Sequence, residues 1–222
     1  MTLLASSVAM AQSTTNSIYI DQVGDGSTIT IVQKGQSNRI GTEQNRVVLE
    51  GNNQTITTTQ EGNNNSIQGS IVQADNVEMD VTVTGDSNEI TYDQGDAASV
   101  AGSEKTLTVT GDSNTLTFNQ GTAASSTGAI QTIAITGDTN TLTSTINADD
   151  VVNTKTIAGD GNTITTVQNG TAGKNIEMVL TGSTNTVAIN QQSTTNVDTL
   201  KINSTSTGST ITINQCNAGG PC

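Results

Sequence analysis

The sequence predicts an all-β fold, a β-solenoid built from strand-turn-strand repeats. The 222 residues include 42 Thr, 24 Asn and 16 Gln, and apolar residues make up 32%, against roughly 45–50% in ordinary globular domains. Short motifs that begin with Gly recur every 22 to 26 residues, and such a period indicates a repeat architecture. β-Branched residues dominate, whereas disordered chains are rich in Pro, Lys and Glu. We therefore expect thin, stacked β structure without a wide core.

The repeat is clearest in the second half of the chain. Five motifs such as Gly111-Asp-Ser-Asn114 lie 26, 26, 22 and 23 residues apart, and they begin at Gly85, Gly111, Gly137, Gly159 and Gly182. An alternating segment follows each motif, as in Asn114-x-Leu116-x-Phe118-x-Gln120, and a second alternating run precedes it. Alternation with period two predicts strands, and the turn Gly is expected to supply backbone conformations that other residues resist. Two strands per repeat, stacked on their copies, make a β-solenoid.

The first part of the chain follows the same pattern at half the spacing. Units that start at Asn16, Ser27 and Asn38 lie 11 residues apart, and related units run from Gln54 to Gln60 and from Ser209 to Gln215. The units at Asn65 and Asn140 are degenerate, because no Gln stands six residues further on. We expect eight or nine turns within residues 12–215, in a column about 40 Å tall at about 4.8 Å per stacked strand.

The two ends differ from the repeats. Residues 1–11 are apolar and end in Ala9-Met10-Ala11, which fits a signal-peptide cleavage site and predicts the remnant of a leader, with a plain N-terminal arm as the alternative. In residues 216–222, Cys216 and Cys222 flank a short Gly-rich stretch and are expected to pair in an oxidising compartment, although two free thiols are the alternative. No apolar run approaches the roughly 18 residues that a membrane span needs.

The unit that is complete in Asn16 to Gln33, Ser/Asn-x-Ile-x-Ile-x-Gln-x-Gly-x-x-Ser/Asn-x-Ile-x-Ile-x-Gln, resembles the curlin repeat of bacterial curli subunits. Curli subunits are secreted proteins that assemble into functional amyloid fibres of the biofilm matrix. The resemblance covers most of residues 16–215, although the long loops after Gly95 and Gly121 are not curlin-like. It implies that strand-end Asn, Ser and Gln side chains point inward, here Asn16, Gln22, Ser27, Gln33, Asn38, Gln44, Gln54, Gln60, Asn88, Gln94, Asn114, Gln120, Asn162, Gln168, Asn185, Gln191, Ser209 and Gln215.

Elementary physics favours the same arrangement. In a stack of similar turns, each buried amide can donate to one neighbouring copy and accept from the other, so that its polar groups are satisfied by its own repeats. The interior then needs only one aliphatic layer between the amides. This accounts for the low apolar fraction.

Several function classes are unfavourable. Seven Lys and Arg against 20 Asp and Glu give a net charge of −13, which repels nucleic acid. The chain has no His, and it has no G-x-S-x-G motif, phosphate loop or metal-ligand spacing, so we expect neither an enzyme nor a bound metal or cofactor. The turn aspartates form a row that either binds cations or, as we prefer, is solvated: Asp86, Asp112, Asp138 and Asp160.

Outward threonines suggest an alternative function. Thr-x-Thr pairs recur at Thr28/Thr30, Thr55/Thr57, Thr115/Thr117, Thr141/Thr143, Thr163/Thr165 and Thr210/Thr212. A regular ladder of this kind on a flat face resembles the ice-binding face of β-solenoid antifreeze proteins. Threonine is also simply suited to exposed strands.

The sequence thus predicts a secreted or cell-surface bacterial protein whose end strands pair with further copies of itself to build an extracellular fibre. Cell-surface or matrix components are additional expected partners. Whether the chain is the main subunit, a nucleator or a virion fibre component is open at this point.

Overall fold

The computed structural model describes residues 6–9, 15–71, 76–94, 100–102, 104–121, 126–128, 130–171 and 173–216. This part of the chain is all-β and contains no helix. Its strands are β1 (Ser6–Ala9), β2 (Ser17–Ile18), β3 (Ile20–Gln22), β4 (Thr28–Ile31), β5 (Arg39–Ile40), β6 (Val47–Leu49), β7 (Ser66–Ile71), β8 (Glu78–Met79), β9 (Glu89–Gln94), β10 (Val100–Ala101), β11 (Glu104–Lys105), β12 (Thr115–Gln120), β13 (Ser126–Thr127), β14 (Ile130–Thr132), β15 (Thr141–Ala148), β16 (Val152–Thr154), β17 (Thr163–Gly170), β18 (Lys174–Leu180), β19 (Thr186–Gln192), β20 (Asp198–Ser204) and β21 (Thr210–Cys216).

Two parallel sheets form the walls of the solenoid. The front sheet has eleven strands and runs in the order β2/β3, β5/β6, β7, β9, β12, β15, β17, β19, β21. The back sheet contains β8, β11, β14, β16, β18 and β20. Residues 54–60 join β4 to it, through bonds from Thr30 N to Ile56 O (3.0 Å) and from Thr57 N to Met79 O (3.2 Å). We call the stretch that one turn contributes to a sheet a rung.

The predicted β-solenoid is confirmed, with about seven turns rather than eight or nine. Seven turns of the described chain contribute a strand to each wall when β4, which residues 54–60 connect to the back sheet, is counted with the back wall. Residues 54–60 follow the column without forming a regular strand, and β21 has no back-sheet strand after it among the described residues. These incomplete turns account for the difference.

The core is a narrow layer between the two walls, and inward side chains of both walls fill it. Alternate residues of each strand face inward. The register aligns similar residues of successive strands, and one buried aliphatic column of the front sheet consists of Ile90, Leu116, Leu142, Ile164 and Val187. Residues between them face outward and are mostly Thr, a residue with high strand propensity. The alternation seen in the sequence therefore becomes the two sides of each wall.

An insertion interrupts the front sheet near its first end. Ile18 and Ile20 are two residues apart and pair with Ile40 and Val47, which are seven apart, so residues 42–46 are five extra residues that bulge outward. Gln44 lies in this bulge and is exposed. Its predicted inward position was wrong, because Leu49 stands opposite Gln22 in the register.

After β9 and β12, the short strands β10 and β13 pair with each other in a separate two-stranded sheet. At the start of the chain, β1 pairs with β4 in parallel, with Ser6 opposite Thr28 and Ala9 opposite Ile31. Residues 1–5, 10–14 and 217–222 lie outside the described residues. The expected pairing of Cys216 with Cys222 therefore stays a prediction. Within the described chain there is no helix long and apolar enough to cross a membrane.

Candidate functional site

A continuous asparagine ladder runs through the column. Asn114 is representative: its backbone N–H and its Nδ2 donate to Asn88 Oδ1 at 2.9 and 3.0 Å, and its own Oδ1 accepts the same two bonds from Asn140. The ladder side chains from Asn38 to Asn185 are buried. The members are Asn16, Asn38, Asn65, Asn88, Asn114, Asn140, Asn162 and Asn185, with Ser209 bonded at the end.

Two ladder members were missed by sequence reasoning. Asn65 and Asn140 are both fully buried and bonded above and below. The sequence pattern required Gln six residues later, whereas Ile71 and Ile146 occupy those register positions. The spacing of the asparagines alone would have found both.

The glutamines form shorter ladders. Gln168 Nε2 donates to Gln191 Oε1 at 2.9 Å, and Gln191 Nε2 donates to Gln215 Oε1 at 2.7 Å. On the back sheet, Gln60 Nε2 donates to Gln33 Oε1 at 2.7 Å. Ser27, Gln54 and Gln120 are also buried among the predicted inward residues, while Asn16, Gln22, Ser209 and Gln215 at the two ends are half-buried. The side chain of Gln94 lies outside the described residues.

A second column runs along the turns. Asp112 Oδ1 accepts a hydrogen bond from the backbone N–H of Asp86 at 2.7 Å, and Asp138 Oδ1 and Asp160 Oδ1 repeat the contact one and two rungs further on. Each aspartate thus has a structural bond to the next turn, and its carboxylate remains exposed. Within the described residues, no group of three His, Cys, Asp or Glu side chains could hold a metal ion.

Glycine is required in these turns because the backbone of the next turn lies too close for a side chain. The prediction that these glycines supply an unusual backbone conformation was wrong. A Cβ on Gly111 would lie 2.5 Å from the carbonyl oxygen of Gly137, and Gly85, Gly137, Gly159 and Gly182 are similarly crowded by the next turn. The positive φ lies two residues later, for example at Ser113 (57°) and Thr139 (55°). Gly35 and Gly62 belong to the same column and were not singled out from the sequence.

Buried lysines are a feature that sequence reasoning did not find. Lys155 has no exposed surface, and its Nζ donates to Ser144 Oγ at 2.8 Å. Burial lowers the pKa of Lys155 to about 7. Ser144 also lies 3.2 Å from Thr166 Oγ1 and 3.5 Å from Asn153 Nδ2. A neutral lysine beside a serine hydroxyl can act as a base, but both side chains are sealed inside the column, so the pair affects stability rather than a substrate.

Two more lysines are enclosed. The Lys105 ammonium lies 5.2 Å from the centroid of the Phe118 ring, which itself stacks on Tyr92 at 5.9 Å. Burial lowers the pKa of Lys105 to about 7, against a smaller opposing effect of Asp93. Lys174 Nζ donates to Ser193 O at 2.8 Å and lies 3.4 Å from Asp198 Oδ2. In the sequence, Lys155 alternates with inward Asn153 and Ile157, which is the signal that could have revealed it.

The outer face of the front sheet carries an uncharged lattice. None of β12, β15, β17, β19 and β21 contains a charged residue, in a chain of net charge −13. Their outward threonines align in register, with Thr115, Thr141, Thr163, Thr186 and Thr210 in one column. The Thr-x-Thr pairs at Thr28/Thr30 and Thr55/Thr57 lie in the back sheet instead, so the expected single series is split between the walls.

Both sheets end in strands with one unpaired edge. In the described chain, β20 and β21 close one end of the column, and β1 and β2/β3 close the other. The Nδ2 of Asn16, the first member of the asparagine ladder, is buried without a hydrogen-bond partner. An amide donor in this state costs free energy, which a further rung would recover.

Comparisons of the chain with protein-family models, curated proteins and solved structures find no match. The resemblance to the curlin repeat therefore stands on the repeat residues alone.

Proposed function

We propose that the protein is a secreted structural subunit that polymerises head to tail, through its end strands, into an amyloid-like fibre of a bacterial extracellular matrix. The observation that carries the proposal is the state of the two column ends. In the described chain each wall ends in a parallel strand with one unpaired edge, and the ladder that runs between the ends begins at Asn16, whose Nδ2 has no hydrogen-bond partner. Biofilm formation and cell adhesion are the roles that such a matrix fibre would serve.

The two ends are complementary in hydrogen bonding. Ser209 directs its carbonyl toward β19, where Thr186 N–H donates to it at 2.8 Å. In a parallel strand, the N–H and C=O of one residue point to the same side, and those of the next residue point to the opposite side. Ser209 faces β19, so Thr210 and Thr212 present their backbone groups to the open edge. At the other end, Ser17 N–H and Tyr19 N–H bond to β5, which leaves the backbone groups of Ile18 for the open edge. A second copy can therefore continue the same ladder.

Side-chain chemistry at the junction matches as well. In a continued register Asn16 of one copy takes the position after Ser209 of another, as Asn38 follows Asn16 within the chain. Asn16 Nδ2 would then donate to the Ser209 hydroxyl. Exposed acids such as Asp86 and Glu89 repel neighbouring columns, which favours growth at the ends over lateral clumping.

Electron microscopy and fibre diffraction of the purified full chain test the proposal. We expect filaments with a reflection at about 4.7–4.8 Å along the axis. Thr212→Pro removes an edge N–H without removing a bond to β19, so it should block elongation while the monomer folds, whereas Thr212→Ser should not. A chain that stays monomeric at high concentration and binds no amyloid dye contradicts the proposal.

A second candidate function, ice binding, is favoured by one observation, the uncharged threonine lattice of the front sheet. Outward threonines repeat about every 4.8 Å across the rungs and about 6.6 Å along each strand, which presents a flat periodic array of hydroxyl and methyl groups. Thermal hysteresis of freezing is the assay. Thr143→Lys on this face should abolish the hysteresis and Thr154→Lys on the back sheet should not; absence of hysteresis in the unsubstituted chain removes this candidate.

A further inference from the structure

The two sheets of the described chain have unequal numbers of rungs when β1 is set aside. The front sheet has nine, formed by β2/β3, β5/β6, β7, β9, β12, β15, β17, β19 and β21. The back sheet has eight, formed by β4, residues 54–60, β8, β11, β14, β16, β18 and β20. In a continuous fibre both walls rise by the same distance per subunit, about 4.8 Å per rung, so the back wall lacks one rung in each subunit.

The place of the missing rung follows from the order of the chain. When β21 of one copy meets β2/β3 of the next on the front wall, the back wall has β20 below the junction and β4 above it. Between β20 and β4 there is space for one strand. Left empty, this space would expose the facing backbone groups of both strands inside the fibre, and unpaired groups of this kind are costly.

The first strand already occupies that position on its own chain. Residues 6–9 pair with β4 in parallel and in register, one turn before it, and they bring the back wall to nine rungs. Among the described strands, none pairs with the other edge of β1, which lies at the end of the column.

We propose that residues 6–9 are the ninth back-sheet rung of the subunit and that the open edge of β1 is the docking site for β20 of the next copy. This inference rests on the proposed head-to-tail fibre. The inference keeps residues 6–9 in the subunit and gives them a place in the fibre. The Ala9-Met10-Ala11 pattern predicts instead that these residues are cleaved off with the leader. The register continues from Ser6 through Thr28, and at the other end of the back sheet the same column ends at Thr199.

Paired cysteine substitutions in fibres of the full chain distinguish the arrangements. All variants carry Cys216→Ser and Cys222→Ser, so that only the introduced thiols react. Ser6→Cys with Thr199→Cys places the two Cα atoms on adjacent rungs of two copies, about 4.8 Å apart, within the Cα–Cα range of a disulfide. Thr28→Cys with Thr199→Cys places them two rungs apart, beyond that range. Ser17→Cys with Thr210→Cys is the front-wall control.

The expected result is intermolecular disulfide ladders for the Ser6/Thr199 and Ser17/Thr210 pairs, and none for Thr28/Thr199. Cross-linking of Thr28/Thr199 overturns the inference, because β4 then meets β20 directly. Front-wall cross-links with neither back-wall pair reacting overturn it too, since another segment then fills the space. If the unsubstituted chain forms no fibres at all, the proposed function itself fails.

A kinetic measurement tests the same strand without cysteines. Val8→Pro breaks the strand pairing of residues 6–9, and Val8→Thr keeps it. We expect Val8→Pro to slow seeded elongation about tenfold, the effect of losing one net hydrogen bond at the growing end, and Val8→Thr to elongate at the unsubstituted rate. Equal rates for Val8→Pro and the unsubstituted chain overturn the inference, and faster elongation of Val8→Pro would mean that β1 blocks the edge.

Discussion

Replacing Lys155 by methionine is expected to stabilise the column at neutral pH. The ammonium is fully buried, and its pKa falls from 10.5 to about 7 because burial penalises the charged form. Unfolding therefore takes up a proton between these two values, so stability is highest above pH 10.5 and is lost as pH falls toward 7. Below pH 7 the native lysine is also protonated, and this contribution no longer changes.

The size of the effect follows from the same shift. A difference of 3.5 pKa units, from 10.5 to about 7, corresponds to about 5 kcal/mol as an upper limit. Methionine fills a similar volume, and Ser144 keeps its contacts with Thr166 and Asn153. We expect a gain of about 1–4 kcal/mol at pH 7, the range seen when buried charges are replaced by apolar residues of similar size.

Denaturant unfolding of the monomer at a series of pH values, followed by far-UV circular dichroism, measures both effects. The unsubstituted chain should become more stable between pH 7 and 10, because in this range Lys155 and Lys105 are deprotonated in the folded chain and protonated in the unfolded chain. Lys155→Met should lower that slope by about 1.4 kcal/mol per pH unit. Exposed Lys201, which pairs with Glu177, is the control, and Lys201→Met should change little. A Lys155→Met chain that is less stable at pH 7, or that keeps the full slope, refutes the reasoning.

Three further substitutions test the columns of the fold by the same unfolding assay. Asn114→Ala leaves the ladder amide of the next rung without its acceptor and should cost about 3 kcal/mol, whereas outward Thr117→Ala should stay within about 0.5 kcal/mol; equal effects would mean that the ladder is not stabilising. Gly111→Ala should cost about 2 kcal/mol, because its Cβ would press on the next turn, whereas Gly51→Ala, with nothing within 4 Å, should be neutral; a tolerated Gly111→Ala would contradict the close stacking. Asp138→Asn keeps the oxygen that accepts from the Asp112 N–H and removes one charge from the aspartate row, so it should stabilise the chain at low salt but not at 1 M salt. A lower stability at both salt concentrations would show that the charge itself is needed.

Much of the fold could be predicted because each rung obeys a local rule. Alternation in segments such as Asn114 to Gln120 indicates a strand, and recurrence every 22 to 26 residues indicates that the strands stack. Both properties can be read without knowledge of distant contacts. The β-solenoid and its two parallel walls follow from them.

The remaining errors arise where the register is decided by the neighbouring turn. The segment from Asn38 to Gln44 satisfies the repeat pattern, yet the front wall uses Val47 and Leu49 and extrudes residues 42–46. The apolar pair fills the interior beside Ile20 better than Thr42 and Gln44 would, and this competition involves another rung. The pattern within one segment could not reveal it.

The buried lysines escaped prediction for a related reason. Lys155 alternates with the inward residues Asn153 and Ile157, so the period of two places it inside. Charged residues are almost never fully buried unless they are paired, however, and the sequence therefore favours an outward lysine. Only the folded column supplies the partner that makes burial possible. Ser144 faces Lys155 across the interior of the same turn, and Asp198 lies opposite Lys174 on the next strand of the back sheet. These contacts are not visible in the pattern of a single strand.

The register of the asparagine ladder also bears on how such a chain can lengthen over generations. Every rung touches only the rungs beside it, and the repeats that supply them differ in length from 22 to 27 residues while the ladder bond stays the same. Duplication or loss of one whole repeat by unequal recombination would therefore re-create an existing junction and disturb no other contact. Chains of this design can therefore differ in height without any new folding problem.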